Sequence, residues 1–158
     1  MTVEDVPYVA ALDETIFEDP QVTIEDRIVR FEEELARPFA VVLVAEQEMT
    51  VEALERNEDN IVGYLLAWST FDEAHLLNIA VSEPSRRKGI AKQLLDAFLT
   101  HEKFRDLHLV VLEVRVSNEA AKKFYEKEGF VLSRTRRSYY PDGEDALELV
   151  RARSEGDA

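Results

Sequence analysis

The chain has 158 residues, 46% of them hydrophobic and 33% charged, which suits one globular domain and excludes disordered and fibrous classes. It contains no cysteine, so disulfides, thiolate-bound metals and a cysteinyl acyl intermediate are excluded. The net charge of -14 is lodged in the amino-terminal half, where residues 1–76 hold 19 acidic and four basic side chains against 14 and 15 in residues 77–158. Phosphate backbones need clustered cations on one face, so nucleic acid is not an expected partner. The acidic half reads as a solvated surface; attraction of a cationic amine or basic peptide, and adaptation to high salt, stay open beside that reading.

From the amino terminus, Thr2 caps a first helix running through Val6, Val9, Ala10 and Leu12 to about Phe17, with Pro7 tolerated in its first turn. No basic run precedes an apolar stretch there, so the segment reads as neither a signal nor a transit peptide. No apolar run approaches the roughly 20 residues that span a bilayer, and a cytoplasmic location without a membrane partner is expected. Thr23 opens a second helix, with Asp26 in a capping-box position and Ile24, Ile28, Phe31 and Leu35 as its apolar stripe; Pro38 ends it. Phe39–Ala45 and Ile61–Trp68 are short β-branched runs of strand type. The acidic stretch 46–60 joins them as an exposed connection with room for a helical turn.

Leu76–Val81 reads as a strand, Gly89 to about Lys103 as an amphipathic helix, and Leu107–Val116 as a further strand. A short helix follows from Glu119 to Lys127 and closes at Gly129; Phe130–Tyr139 and Ala146–Val150 are two last strands around the turn Pro141-Asp142-Gly143. The expected architecture is a single α/β (α+β) domain over residues 1–153 with a central mixed sheet, followed by a disordered tail, 154–158. His75, His101 and His108 have no ligand-like spacing, and no metal is expected.

Between the strand and the helix lies Ser85-Arg86-Arg87-Lys88-Gly89-Ile90-Ala91. Free backbone N–H groups and the helix dipole can hold an anion there, with three adjacent cations in support. Gly89 admits a close backbone approach and Ala91 keeps the first turn narrow, which suits a pyrophosphate; a solvated basic turn is the plain alternative.

Glu113 stands on the largely apolar strand, on the same face as Leu109 and Val111. A carboxylate so placed needs a partner or solvent, which suggests the mouth of a cleft or an ion pair with Arg115 on that face. Tyr125 lies on the apolar side of the next helix, where a core role and a proton-donating role are both open.

The Arg-x-x-Gly-x-Ala pattern of Arg86–Ala91 resembles that of the GNAT acetyltransferases. The likeness continues over Asn78-Ile79-Ala80-Val81, Leu112-Glu113-Val114-Arg115, Ser117-Asn118-Glu119-Ala120-Ala121, Phe124-Tyr125-Glu126, Gly129-Phe130 and Arg136 to Ala146. Those segments look like the RimI-like and the archaeal and eukaryotic amino-terminal acetyltransferases. The resemblance implies a GNAT fold with helices on both faces of the sheet and acetyl-coenzyme A (acetyl-CoA) as cosubstrate. It implies a protein or peptide N-terminus, such as that of a ribosomal protein, as acceptor, acetylated by direct attack in a ternary complex.

On the same ground Glu113 becomes the general base and Tyr125 the general acid. Ile79, Ala80, Val81, Arg86, Arg87, Lys88, Gly89, Ile90, Ala91 and Asn118 become cofactor contacts, with Asn118 also readable as an N-cap. Tyr139 and Tyr140 become acceptor contacts, with plain aromatic packing as the alternative. A GNAT enzyme of small amines such as polyamines or aminoglycosides, and a CoA-binding module without turnover, remain as other readings.

The chain departs from those relatives in two places. They begin with a strand ahead of the first helix, whereas Thr2 already reads as that helix's cap, which leaves open whether the first strand is absent or lies ahead of Met1. They also carry Pro-Trp-Ser where this chain reads Phe17-Glu18-Asp19-Pro20-Gln21-Val22-Thr23, which puts the preferred first residue of the acceptor in question.

Overall fold

The computed structural model describes residues 1–48 and 60–153. The expected helical turn of the exposed connection and the expected tail fall on residues 49–59 and 154–158, outside the described residues.

Helices begin where side chains close their first turns. The Thr2 N–H donates to the Asp5 carboxylate (2.6 Å), and a 3-10 turn, Val3–Asp5, leads into α1 (Val6–Ile16). The Thr23 N–H donates to the Asp26 carboxylate (2.9 Å) and the Asp26 N–H to the Thr23 hydroxyl (3.1 Å), which completes the expected capping box of α2 (Ile24–Ala36). On α2 the apolar stripe is in place, with Phe31 fully buried and meeting Tyr64 edge-on at 5.3 Å. The same helix also buries Arg27 and Glu34, which the stripe does not reveal.

Six strands form one sheet: β1 (Ala40–Glu46), β2 (Ile61–Thr70), β3 (Glu73–Val81), β4 (Leu109–Arg115), β5 (Val131–Arg136) and β6 (Ala146–Ala152), in the order β1-β2-β3-β4-β6-β5. Neighbours run antiparallel except β3 and β4, which run parallel across the crossover through α3 (Ile90–Leu99). The fourth helix, α4 (Glu119–Lys127), has the expected bounds. This is the mixed α/β sheet anticipated, with no strand ahead of α1 among the described residues. No helix of those residues is long and apolar enough to cross a membrane.

Two element ends differ from expectation for local reasons. α3 stops at Leu99, well short of Lys103, because the Thr100 hydroxyl donates to the Asp96 carbonyl (3.0 Å) and the His101 Nδ1 accepts the Lys103 N–H (3.2 Å), which opens a 3-10 turn. β5 stops at Arg136, short of Tyr139, because Ser138 takes a left-handed φ of 46° and donates its N–H to the Asp145 carboxylate (2.7 Å).

Alternation along the strands builds one core on each face. On one side α1 and α2 cover Val42, Tyr64, Leu66 and Ala80. On the other α3 and α4 cover Val41, Leu65, Leu76, Leu112 and Val114. Gly63 sits where β2, β3 and α3 converge, and a Cβ there would lie 2.8 Å from the Ala80 carbonyl oxygen and 3.3 Å from Leu94 Cδ1. Backbone cannot yield as a side chain would. Gly63→Ala is therefore expected to cost about 1–3 kcal/mol through overpacking, seen as a lowered Tm in thermal unfolding.

The feature that matters most for function is a failure of pairing. β3 and β4 pair only over Glu73–Leu109, Ala74–Val110 and His75–Val111. Beyond that the register of β3 on β2 slips, with Leu66 opposite Asn78 and Ala67 opposite Leu76, so Leu77 is the extra residue of a bulge. A bulge bends its strand and deepens its twist, and here it carries β3 away from β4.

Candidate functional site

The parting strands open a cleft of about 720 Å³, a size that accommodates a small ligand. It is lined from both faces of the sheet: by Ile16 and Phe17 at the end of α1 on one side, and by Ala91 of α3 and Phe124 and Tyr125 of α4 on the other. Its floor is Leu77–Val81 of β3 and Glu113–Arg115 of β4.

The β3 wall offers unpaired backbone. The Ser82 N–H donates to the Val62 carbonyl (2.8 Å), so residues 82, 80 and 78 turn their peptide groups to β2, while Ile79 and Val81 turn theirs to the gap. Ala80 contributes to the lining, but its own peptide groups lie on the β2 side. The Arg86 Nε donates to the Val81 carbonyl (3.1 Å), which ties the basic turn to this wall.

In that turn Arg87 and Gly89 take left-handed φ values of 62° and 84°. The first helical bond of α3 runs from the Gln93 N–H to the Gly89 carbonyl (3.0 Å), so the amides of Gly89, Ile90, Ala91 and Lys92 precede the ladder and stand available to an anion. A Cβ on Gly89 would meet nothing within 4 Å, so its dihedral, and not crowding within the chain, is what favours glycine there. Arg86 and Ala91 line the cleft; Arg87 and Lys88 are exposed beside it. An extended thiol arm ending in a pyrophosphate suits this wall and turn, which supply strand-edge amides first and helix-start amides after them.

Glu113 enters the cleft from β4 with 19% of its side chain exposed and its Oε1 3.4 Å from an Arg136 Nη. The alternative ion pair with Arg115 does not form, because Arg115 bonds Asp142 (2.8 Å) and Glu144 (2.7 Å). Tyr125 is 6% exposed, with its ring against Phe124 (5.2 Å) and Phe130 (5.4 Å). Burial pushes its phenol well above the usual tyrosine range, so the hydroxyl keeps its proton at neutral pH. Asn118 lines the cleft while its Oδ1 accepts the Ala121 N–H (3.1 Å), so the N-cap reading holds.

The hairpin between β5 and β6 is pinned to the end of β4. The Arg115 guanidinium lies 3.9 Å from the Tyr140 ring centroid, and Glu144 also accepts the Ser117 N–H (2.8 Å). Hydrogen bonds from Ser117, then the Arg115 guanidinium, hold the Glu144 carboxyl down to about 2, so this tie is intact at neutral pH. Tyr140 thereby reaches the cleft, whereas Tyr139 is 46% exposed and packs edge-on against Tyr140 outside the lining.

The segment opening at Phe17 was expected at the acceptor side and Phe17 lines the cleft, whereas sequence reasoning did not anticipate Ile16, Leu77 and Phe124 there. Ile16 and Phe17 end an ordinary amphipathic pattern, and the signal that sets them apart lies in three dimensions. An Arg27 Nη donates to the Phe17 carbonyl (2.7 Å), while Arg27 and the Tyr64 hydroxyl both bond the fully buried Asp13. That charged knot holds the end of α1 against the cleft.

A family model described as acetyltransferase (GNAT) family matches residues 9–130. The chain is 38% identical over 84 residues to the [ribosomal protein bS18]-alanine N-acetyltransferase of Haemophilus ducreyi, an alignment covering 53% of this chain and 58% of that one. It is 31% identical over 148 residues to a Bacillus subtilis protein given the same name provisionally, covering 93% of this chain and 89% of the relative. Among solved structures it is similar to the ribosomal-protein-S18-alanine N-acetyltransferase of Escherichia coli, with a TM-score of 0.75, 25% identity and coverage of 98% and 94%.

Proposed function

This chain belongs to the acetyltransferase (GNAT) family, and from that premise we propose that it acetylates the N-terminal α-amine of a protein or peptide with acetyl-CoA as donor. The observation that carries the proposal is the cleft open to both faces of the sheet, with free strand and helix amides on one side and Glu113, Tyr140 and Phe17 on the other. Donor and acceptor can meet in it without a covalent enzyme intermediate. The names of the Haemophilus and Escherichia relatives, both alanine N-acetyltransferases of a ribosomal protein, support an α-amine as acceptor and a ribosomal protein as one candidate.

When bound, acetyl-CoA supplies an acetyl thioester. The peptide groups of Ile79 and Val81 pair with its extended arm as an added strand would, and the turn Arg86–Ala91 receives its pyrophosphate. Asn118 stands near the arm from the start of α4. An α-amine has a pKa near 8 and is largely protonated at neutral pH, so Glu113 takes its proton. The amine nitrogen then forms a bond to the acetyl carbon as the carbon–sulfur bond breaks, the Tyr125 hydroxyl gives its proton to the departing sulfur, and the surplus proton on the new amide nitrogen restores the Tyr125 hydroxyl. Tyr140 borders the acceptor's path, with Tyr139 packed against it outside the lining. We assign the whole reaction to one domain, residues 1–153.

Incubation of the protein with acetyl-CoA and a peptide library varied in its first residues, read by mass spectrometry, tests this. Acetyl groups on α-amines are expected. Products confined to lysine side chains, faster turnover of polyamines than of any peptide, or no product at all would reject the reading. Within it, Tyr125→Phe preserves the ring contacts and removes only the hydroxyl that carries the proton, so kcat should fall by about 10²-fold with the KM for acetyl-CoA and the Tm unchanged.

A further inference from the structure

Glu113 and Glu148 are partners across the β4–β6 ladder, so two carboxylates stand directly opposite on one face of the sheet. Like charges in that relation repel, and Glu148 is only 6% exposed. Two guanidiniums from β5 offset this. Arg134 and Arg136, two residues apart and therefore on one side of their strand, both bond the same Glu148 oxygen, Arg134 at 2.9 and 2.7 Å and Arg136 at 3.0 and 2.8 Å. Hydrogen bonds from Arg134, and after them those from Arg136, hold the Glu148 carboxyl below its usual range against the opposing effect of burial. Arg136 alone of the two extends to the cleft: the Nη that lies 2.8 Å from Glu148 is also 3.4 Å from Glu113. Its guanidinium carbon sits 5.3 Å from the Tyr139 ring centroid, which steadies it from outside.

We propose that Arg136 is a positioning residue for the acetyl transfer, its guanidinium anchored by Glu148 so that one nitrogen directs the Glu113 carboxylate at the floor of the cleft. The inference rests on the reading of Glu113 as general base. An arginine keeps its charge at any working pH, so its contact with the Glu113 carboxylate persists across the range in which the enzyme works. A full two-pronged grip on Glu113 would make that carboxylate a poorer proton acceptor. Glu148 prevents this by claiming most of the guanidinium. The other groups near Glu113 add little: Arg115 is matched by Asp142 and Glu144, and burial raises the Tyr140 and Tyr125 phenols so that both stay neutral. Tyr139 thus acts on the base through Arg136, which gives it a role although it lies outside the cleft lining.

The test is the pH dependence of kcat/KM for the full chain with acetyl-CoA and the fastest peptide of the library. Arg136→Met should move the acid limb to higher pH by about one unit, the low end for loss of a cation at this range. Arg136→Lys should restore most of that shift. Glu148→Gln should move the limb the other way, because it releases Arg136 to Glu113. A merely structural contribution would not give opposite signs, and thermal unfolding checks that each variant is folded; if Glu148→Gln does not fold, the Met and Lys pair decides. Glu113→Gln separates the two levels of the argument. A wild-type acid limb in Glu113→Gln, or no peptide turnover by the wild type, overturns the base reading and this proposal with it. Loss of that limb in Glu113→Gln together with an unmoved limb in Arg136→Met overturns the role of Arg136 alone.

Discussion

Glu113→Gln should lower kcat by about 10² to 10⁴-fold while leaving the fold intact, the range by which a positioned proton acceptor speeds a reaction. Among the described residues the side chain makes one ion pair, at 3.4 Å. Its strand is held by the ladder to β6 and by the burial of Leu112 and Val114 on the opposite face. The Tm should therefore stay close to wild type, as for most substitutions that leave packing alone. Residual turnover should rise with pH as the acceptor amine loses its proton unaided, near pH 8. Binding of CoA, followed by calorimetry, should be unchanged, because Ile79, Val81 and the turn Arg86–Ala91 are untouched. Retained turnover at neutral pH would remove Glu113 from the mechanism. Lost CoA binding would mean that the carboxylate serves the architecture of the cleft instead.

What could be read from the residues follows from the range over which each effect acts. Caps and turns are local, so Thr23 with Asp26 and Asn118 as the start of α4 were legible, and Gly89 was legible as the glycine of the turn though not as left-handed. The family likeness, carried by short runs in order along the chain, extended that reading to the mixed sheet with helices on both faces. Pairing across the sheet is not local. The bulge at Leu77, without which β3 and β4 would continue side by side and leave no cleft, depends on the β2 register and leaves no trace in an apolar run such as Leu76–Val81. Partner choice among charges was equally hidden. Arg115 lies two residues from Glu113 on the same face and was its obvious mate, yet the hairpin brings Asp142 and Glu144 to Arg115 and Arg136 to Glu113. The two tyrosines, adjacent in sequence, also part company: the chain turns at Ser138, so Tyr140 reaches the cleft and Tyr139 packs behind Arg136.

Asp13→Ala should destabilise the protein by about 3–5 kcal/mol, the cost of leaving buried cations without their counter-charge. Asp13 of α1 is fully buried, and it bonds Arg27 of α2, accepts the Tyr64 hydroxyl and lies 2.9 Å from an Arg30 Nη. The burial of Tyr64, and after it the Asp13 charge, raise the phenol well above its usual range, so the hydroxyl serves only as a donor to that carboxylate. Arg27 is 2% exposed and cannot turn to water once Asp13 is gone. Removing both charges should hurt less than removing one: Asp13→Leu combined with Arg27→Met fills similar volume and leaves without Asp13 only the Tyr64 hydroxyl and Arg30, whose side chain is 42% exposed and can turn to water, so denaturant unfolding should place the double variant above Asp13→Ala. The double variant is the more informative about function. It lacks the Arg27 bond to the Phe17 carbonyl, so the end of α1 is no longer tied at the acceptor side of the cleft. A folded double variant with raised KM for peptide and unchanged KM for acetyl-CoA would show that the buried knot serves acceptor binding as well as stability. An unchanged peptide KM would confine its role to holding the helices on the sheet.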